Sequence, residues 1–155
     1  MFLNEQSARE IYLLPFEMCI EDSDANGIMS SMNRIGGTWV VGNKGLMTNT
    51  LRGEWGYSGF VMTDQTSFSS FVYCEIHEGL AAGNDLWLCT SKRLWEQDEE
   101  DMTATFMQNV RTAAHRYLYV VANFNAMNGV DKDTKVSNVL AGWQKLIFPV
   151  SLLLS

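Results

Sequence analysis

Three short apolar runs, Gly27 to Met32, Phe60 to Thr63 and Leu86 to Leu88, alternate with segments of helical periodicity. This alternation restricts the chain more than any other feature, because strands separated by helices argue for βα units around a parallel sheet. Helical spacing recurs over residues 5–22, where Ile11, Leu14, Met18 and Cys19 repeat, and again over 44–54, 68–82 and 101–123. In the last segment Phe106, Val110, Ala113, Ala114, Tyr117, Leu118 and Val121 form the expected core stripe. Gly56 and Gly83 read as stop signals, and residues 36–45 as a Gly-rich loop. The expected fold class is α/β, with parallel strands alternating with helices.

The middle run says most about function. Gly59-Phe60-Val61-Met62-Thr63-Asp64 is a Gly-punctuated turn, then a buried strand that stops at a carboxylate. In a parallel α/β architecture, catalytic groups stand at the C-terminal ends of strands. An acid in that position also serves as a helix cap or turn residue, and these six residues alone leave both roles open.

Bulk properties narrow the field. A chain of 155 residues, 46% of them apolar and 19% charged, is globular and long enough for one real core. The net charge of −7 and pI near 4.7, with Lys and Arg few and scattered, argue against nucleic acid as a partner. Acidic residues gather at Glu96, Asp98, Glu99, Glu100 and Asp101, which reads as a solvated loop and helix N-terminus. Cys19, Cys74 and Cys89 are odd in number and widely spaced, so a reducing, cytoplasmic compartment is favoured over a disulfide framework. With two histidines and no paired Cys/His spacing, no metal site and no cofactor are expected.

Five blocks, in order, resemble glycoside hydrolase family 3. They are Arg9 to Glu17, Ile28 to Gly37, the long stretch Leu46-Met47-Thr48-Asn49-Thr50-Leu51-Arg52-Gly53-Glu54-Trp55-Gly56 through Asp64, Gly79 to Leu88, and Asn125-Ala126-Met127-Asn128-Gly129. The resemblance points to bacterial β-glucosidase-related members and covers residues 3 to 129. It implies the last three strand–helix units of a (β/α)8 barrel, which in complete form takes roughly 250 residues. Residues 1–129 are then a partial barrel domain, and 130–155 a polar spacer with an apolar tail.

By this resemblance Asp64 is the nucleophile of a retaining glycosidase acting on a β-glucoside-type carbohydrate. Met29, Met32 and Gln65 fall at positions that touch the sugar. Two departures are visible: many members carry Tyr where Met32 stands, and Trp, a sugar-stacking platform, where Gln65 stands. Glu75 and Glu78 lie on a predicted helix, and Asp85 begins a strand, so none is a convincing proton donor. Trp39 could stack on a sugar, Trp55 and Trp87 read as core, and Trp95 is undecided. The alternative is a non-catalytic, carbohydrate-contacting or structural barrel fragment.

Three strands cannot close a barrel, so the isolated stretch is expected to be inactive and, with open sheet edges, to self-associate. Most members follow the barrel with a second α/β domain. A short charged spacer stands here instead, so the parent is expected to have the reversed domain order or to be cut off. The apolar run from Trp143 to Leu154, with about nine strongly apolar residues, is shorter than the roughly 20 that span a bilayer. It reads as a tail packing on the barrel, and as a membrane contact only if a longer parent extends it.

Overall fold

The computed structural model describes residues 2–68, 71–72, 75–89 and 97–124, together with 127, 129, 132–135, 137, 139–143, 145 and 149. The chain divides into two compact units, Met1–Phe124 and Asn125–Ser155. Of the second, the described residues include one helical turn, in which the Lys145 N–H donates to the Ala141 carbonyl at 3.2 Å. The apolar run after Trp143 and the family-like block at 125–129 lie largely outside the described residues. Among those described, no helix is long and apolar enough to cross a membrane.

The first unit is built on a parallel sheet of three strands, β1 (Gly27–Met29), β4 (Phe60–Gln65) and β7 (Leu86–Leu88), in the order β1-β4-β7. Gly27, Ile28 and Met29 pair with Phe60, Val61 and Met62. Two antiparallel pairs are inserted, β2 (Arg34–Ile35) with β3 (Thr38–Trp39), and β5 (Ser67–Phe68) with β6 (Phe71–Val72). Helix α1 runs as Glu5–Ser7, Ala8–Leu13 and Leu14–Ser23. Its middle piece has wider turns, the Leu14 N–H reaching back to the Arg9 carbonyl. Such turns suit the approach to Pro15, whose ring would meet the carbonyl four residues back in a regular helix. Helix α2 is Gly45–Glu54, α3 Ile76–Ala82 and α4 Ala104–Asn123.

Alternation along β4 sets the core. Val61 and Thr63 are buried, whereas Phe60, Met62 and Asp64 are half-buried. Val61 packs with Val40, Met47, Leu51, Trp55 and Tyr57, so α2 covers that face. A second cluster joins Leu80 of α3 to Phe106 and Ala113 of α4, with Trp87 against it. Trp55 and Trp87 are therefore packing residues, while Trp95 lies outside the described residues.

Five expectations need correcting, the first being that β1 ends at Met29 and not at Met32. The Gly-rich loop holds the β2–β3 hairpin, whose Gly36 adopts φ 61° at the turn. The helix expected over 68–82 begins only at Ile76, because Ser67–Phe68 and Phe71–Val72 pair as strands, in keeping with their aromatic and β-branched content. Strand β4 runs through Asp64 to Gln65 instead of stopping at Thr63. The core stripe of α4 is rotated: Phe106, Ala113 and Val120 are buried, but Ala114, Tyr117 and Leu118 are exposed. The inward position near 116 is held by an arginine with a buried partner, and its polarity hid the stripe.

Candidate functional site

Asp64 is the penultimate residue of the central strand, half-buried, and its Oδ1 accepts the Gln65 N–H at 2.6 Å. On one side β1 stops at Met29, opposite Met62, and the Ser30 N–H closes the ladder on the Met62 carbonyl at 2.8 Å. Asp64 therefore projects beyond the end of that neighbour.

The other side is irregular. Met62 pairs with Leu86 and Gln65 with Leu88, so Thr63 and Asp64 together face the single residue Trp87. An extra residue of this kind bends a strand and re-aims its side chains, a device common beside active sites. Thr63 is fully buried, and its Oγ1 accepts the Leu88 N–H at 3.1 Å. The Thr66 N–H then returns to the Leu88 carbonyl at 2.9 Å.

The residues expected near Asp64 are placed as follows. Gln65 follows it, half-buried. Met29 is 53% exposed and lines an apolar groove of about 260 Å³ with Tyr12, Phe16, Ile28, Leu46 and Leu51. Met32 packs with Trp39 on buried Val41. The Arg34 guanidinium lies 3.9 Å over the Trp39 ring, which occupies one of the two faces a sugar could use. Glu75 is the exposed N-cap of α3 and not a residue within a helix. Glu78, also exposed, lies so close to Gly42 that a Cβ there would meet its Oε1 at 2.6 Å.

Asp85 stands at the other end of β4, where its Oδ2 accepts the Val61 N–H at 2.8 Å. The same oxygen takes Arg52 Nη2 at 2.6 Å, and Oδ1 takes Arg116 Nη1 at 3.2 Å. Arg52 also donates to the carbonyls of Gly59 at 2.9 Å and Gly83 at 3.1 Å, which ties α2 to the starts of β4 and β7. Burial pushes the Asp85 carboxyl up from its ordinary range, against the pull of the Val61 N–H and both guanidinium groups. Burial also pushes Arg52 down. Sequence reading missed both arginines; the available signal was a cation at an inward position of a helix. Among the described residues, no group of three or more His, Cys, Asp or Glu is placed to hold a metal ion.

Residues 3–118 match the family described as glycosyl hydrolase family 3 N terminal domain. The chain is 32% identical over 128 residues to β-glucosidase B of Emericella nidulans, covering 79% of this chain and 14% of that protein. It is 32% identical over 130 residues to a β-glucosidase of Rhizobium radiobacter, covering 80% and 15%. The chain thus spans about 15% of the length of these curated relatives. Among solved structures, β-glucosidase 3B from Thermotoga neapolitana in complex with α-D-glucose superposes with a TM-score of 0.65 at 26% identity, over 83% of this chain and 19% of that one. The family 3 β-glucosidase of Bifidobacterium adolescentis gives a TM-score of 0.65 at 26% identity, over 89% and 20%. On a match that covers most of its length, the chain belongs to glycosyl hydrolase family 3, within the N-terminal domain of that family.

Proposed function

We propose that this protein contributes the nucleophile of a retaining β-glucosidase, with Asp64 attacking the anomeric carbon. One observation carries the reading: in a chain of this family, a half-buried aspartate stands at the C-terminal end of the central parallel strand, past the end of β1. The reaction needs a carboxylate that forms a covalent glycosyl–enzyme and a second carboxyl group about 5–5.5 Å away to protonate the leaving oxygen. That second group later takes a proton from the water that releases the sugar. Asp85 does not fit this role, since it grips Val61, three residues or about 10 Å back along the strand. We assign the proton donor to the larger part of the relatives' length that lies outside the matched stretch.

Met29, Met32 and Gln65 are read as flanking the sugar. Gln65 would offer hydrogen bonds where an aromatic ring would stack. The stretch is read as the last three strand–helix units of the barrel, in a cytoplasmic protein whose C-terminal tail meets a membrane only if the parent extends it.

A second reading, a non-catalytic or structural barrel fragment, is favoured by the sheet itself. Among the described residues, β1 and β7 are the edge strands of a three-stranded sheet, and no residue of α1 is fully buried. Incubating the complete gene product with an activated 2-deoxy-2-fluoro-β-glucoside, then mapping the adduct by mass spectrometry, separates the two. A covalent sugar on Asp64 supports the nucleophile; unlabelled protein supports the structural role.

A further inference from the structure

We propose that Thr63 is the positioning residue for Asp64, its hydroxyl holding open the irregularity in β4 that aims the carboxylate. The inference rests on the glycosidase reading and deepens it. Where two residues of one strand face one residue of the next, the ladder is locally disrupted, and a side chain inside the interval can help to hold it. Here Thr63 Oγ1 gives the Leu88 N–H an acceptor from within that interval, at 3.1 Å. Regular pairing resumes at Gln65 and Leu88, so the side-chain bond spans the interval that contains Asp64.

Thr63 has no solvent exposure, and water cannot replace its hydroxyl freely. Without that acceptor, only the flanking strand pairs hold the interval, and β4 can shift its register on β7. A one-residue shift in a strand turns each side chain to the opposite face. Serine retains the acceptor, whereas valine keeps the shape of threonine and loses it.

The test compares Thr63→Val, Thr63→Ser and the unaltered complete gene product in two measurements. The first is the rate of covalent labelling by the activated 2-deoxy-2-fluoro-β-glucoside as a function of its concentration. Thr63→Val is expected to lower the limiting rate about a hundredfold, the scale of a 1 Å misplacement. The half-saturating concentration should change little, and Thr63→Ser should label within a few-fold of the unaltered protein. The second measurement, amide hydrogen exchange at Leu88, needs no sugar. It should accelerate in Thr63→Val and stay near its original rate in Thr63→Ser.

Equal limiting rates in all three proteins overturn the inference, as does equal loss in both variants, since the hydroxyl would then not be what matters. Unchanged Leu88 exchange in Thr63→Val overturns it independently. Absence of label in the unaltered protein strikes down the glycosidase reading itself, and the positioning role with it. The two failures are therefore distinguishable.

Discussion

The two ends of the central strand each present an aspartate, and the pair differ in nearly every physical respect. At the start of β4, the Asp85 carboxylate is fully buried and spends its oxygens on Val61, Arg52 and Arg116. Four elements meet there, since Arg52 belongs to α2, Arg116 to α4, and the bonded backbone to the starts of β4 and β7. The Arg52 Nε is the buried atom of this group left without a partner. At the far end, Asp64 is half-buried, and its carboxylate accepts a local bond from the next residue's N–H. A buried charge is kept only if it is fully partnered, and such partnering consumes the lone pairs a nucleophile needs. The difference teaches that one residue type is locked into the architecture at one end of a strand and holds a single local bond at the other, where the proposed chemistry would need it.

The largest expected effect sharpens the chemical end. Asp64→Asn should abolish covalent labelling and lower turnover of the complete gene product by on the order of 10⁴-fold or more, as in other enzymes that lose a group of the covalent machinery. Its thermal midpoint should move little, because the bond Asp64 accepts is local and the amide oxygen of asparagine can accept it too. A variant that unfolds would break the contrast, as would one that keeps its turnover.

Asp85→Asn should do the reverse. Removing one member of a buried charge group leaves the others uncompensated and costs about 3–5 kcal/mol, a large share of a typical domain's stability. Urea unfolding monitored by tryptophan fluorescence would show the midpoint fall, and an unchanged midpoint would refute the structural role assigned here. Arg116→Met probes the same end more gently. It retains an apolar stem, removes one hydrogen bond to a charged partner, and should cost about 1.5–3 kcal/mol in the same assay.

The smallest effect lies on the surface, away from both ends. Arg9 grips Glu54 at 2.7 and 3.1 Å and holds its carboxyl below the ordinary value. A depressed folded-state value means that the pair contributes above the unfolded carboxylate range and is lost as pH falls through the lower one. The difference in thermal midpoint between the unaltered protein and Glu54→Gln should therefore be present at neutral pH and vanish in acid. It should also shrink in high salt, since both side chains are exposed. A difference that grows on acidification would contradict the pairing.

Much of this was legible in the sequence. The order of helices and strands followed from apolar periodicity and from Gly83, which caps α3 at φ 113°. The position of Asp64 at a strand end followed from the apolar run that precedes it. Asp85 was read at the opposite end because it begins its strand, and its bond to Val61 places it there. Local signals were overlooked in the β2–β3 hairpin, where two glycines separate Ile35 from Thr38.

Other features could not have been read from one segment at a time. The core face of α4 depends on Arg116 finding Asp85, thirty-one residues away. The irregularity around Asp64 exists only as a mismatch between β4 and β7, which neither strand encodes alone. By itself the sequence determined the three parallel strands, most of the helices between them, the family, and the carboxylate at the strand end, because periodicity and motif are local properties of the chain. Only the tertiary structure decided where that carboxylate points and which aspartate is locked, because register, burial and ion pairing arise when distant segments compete for the same hydrogen bonds.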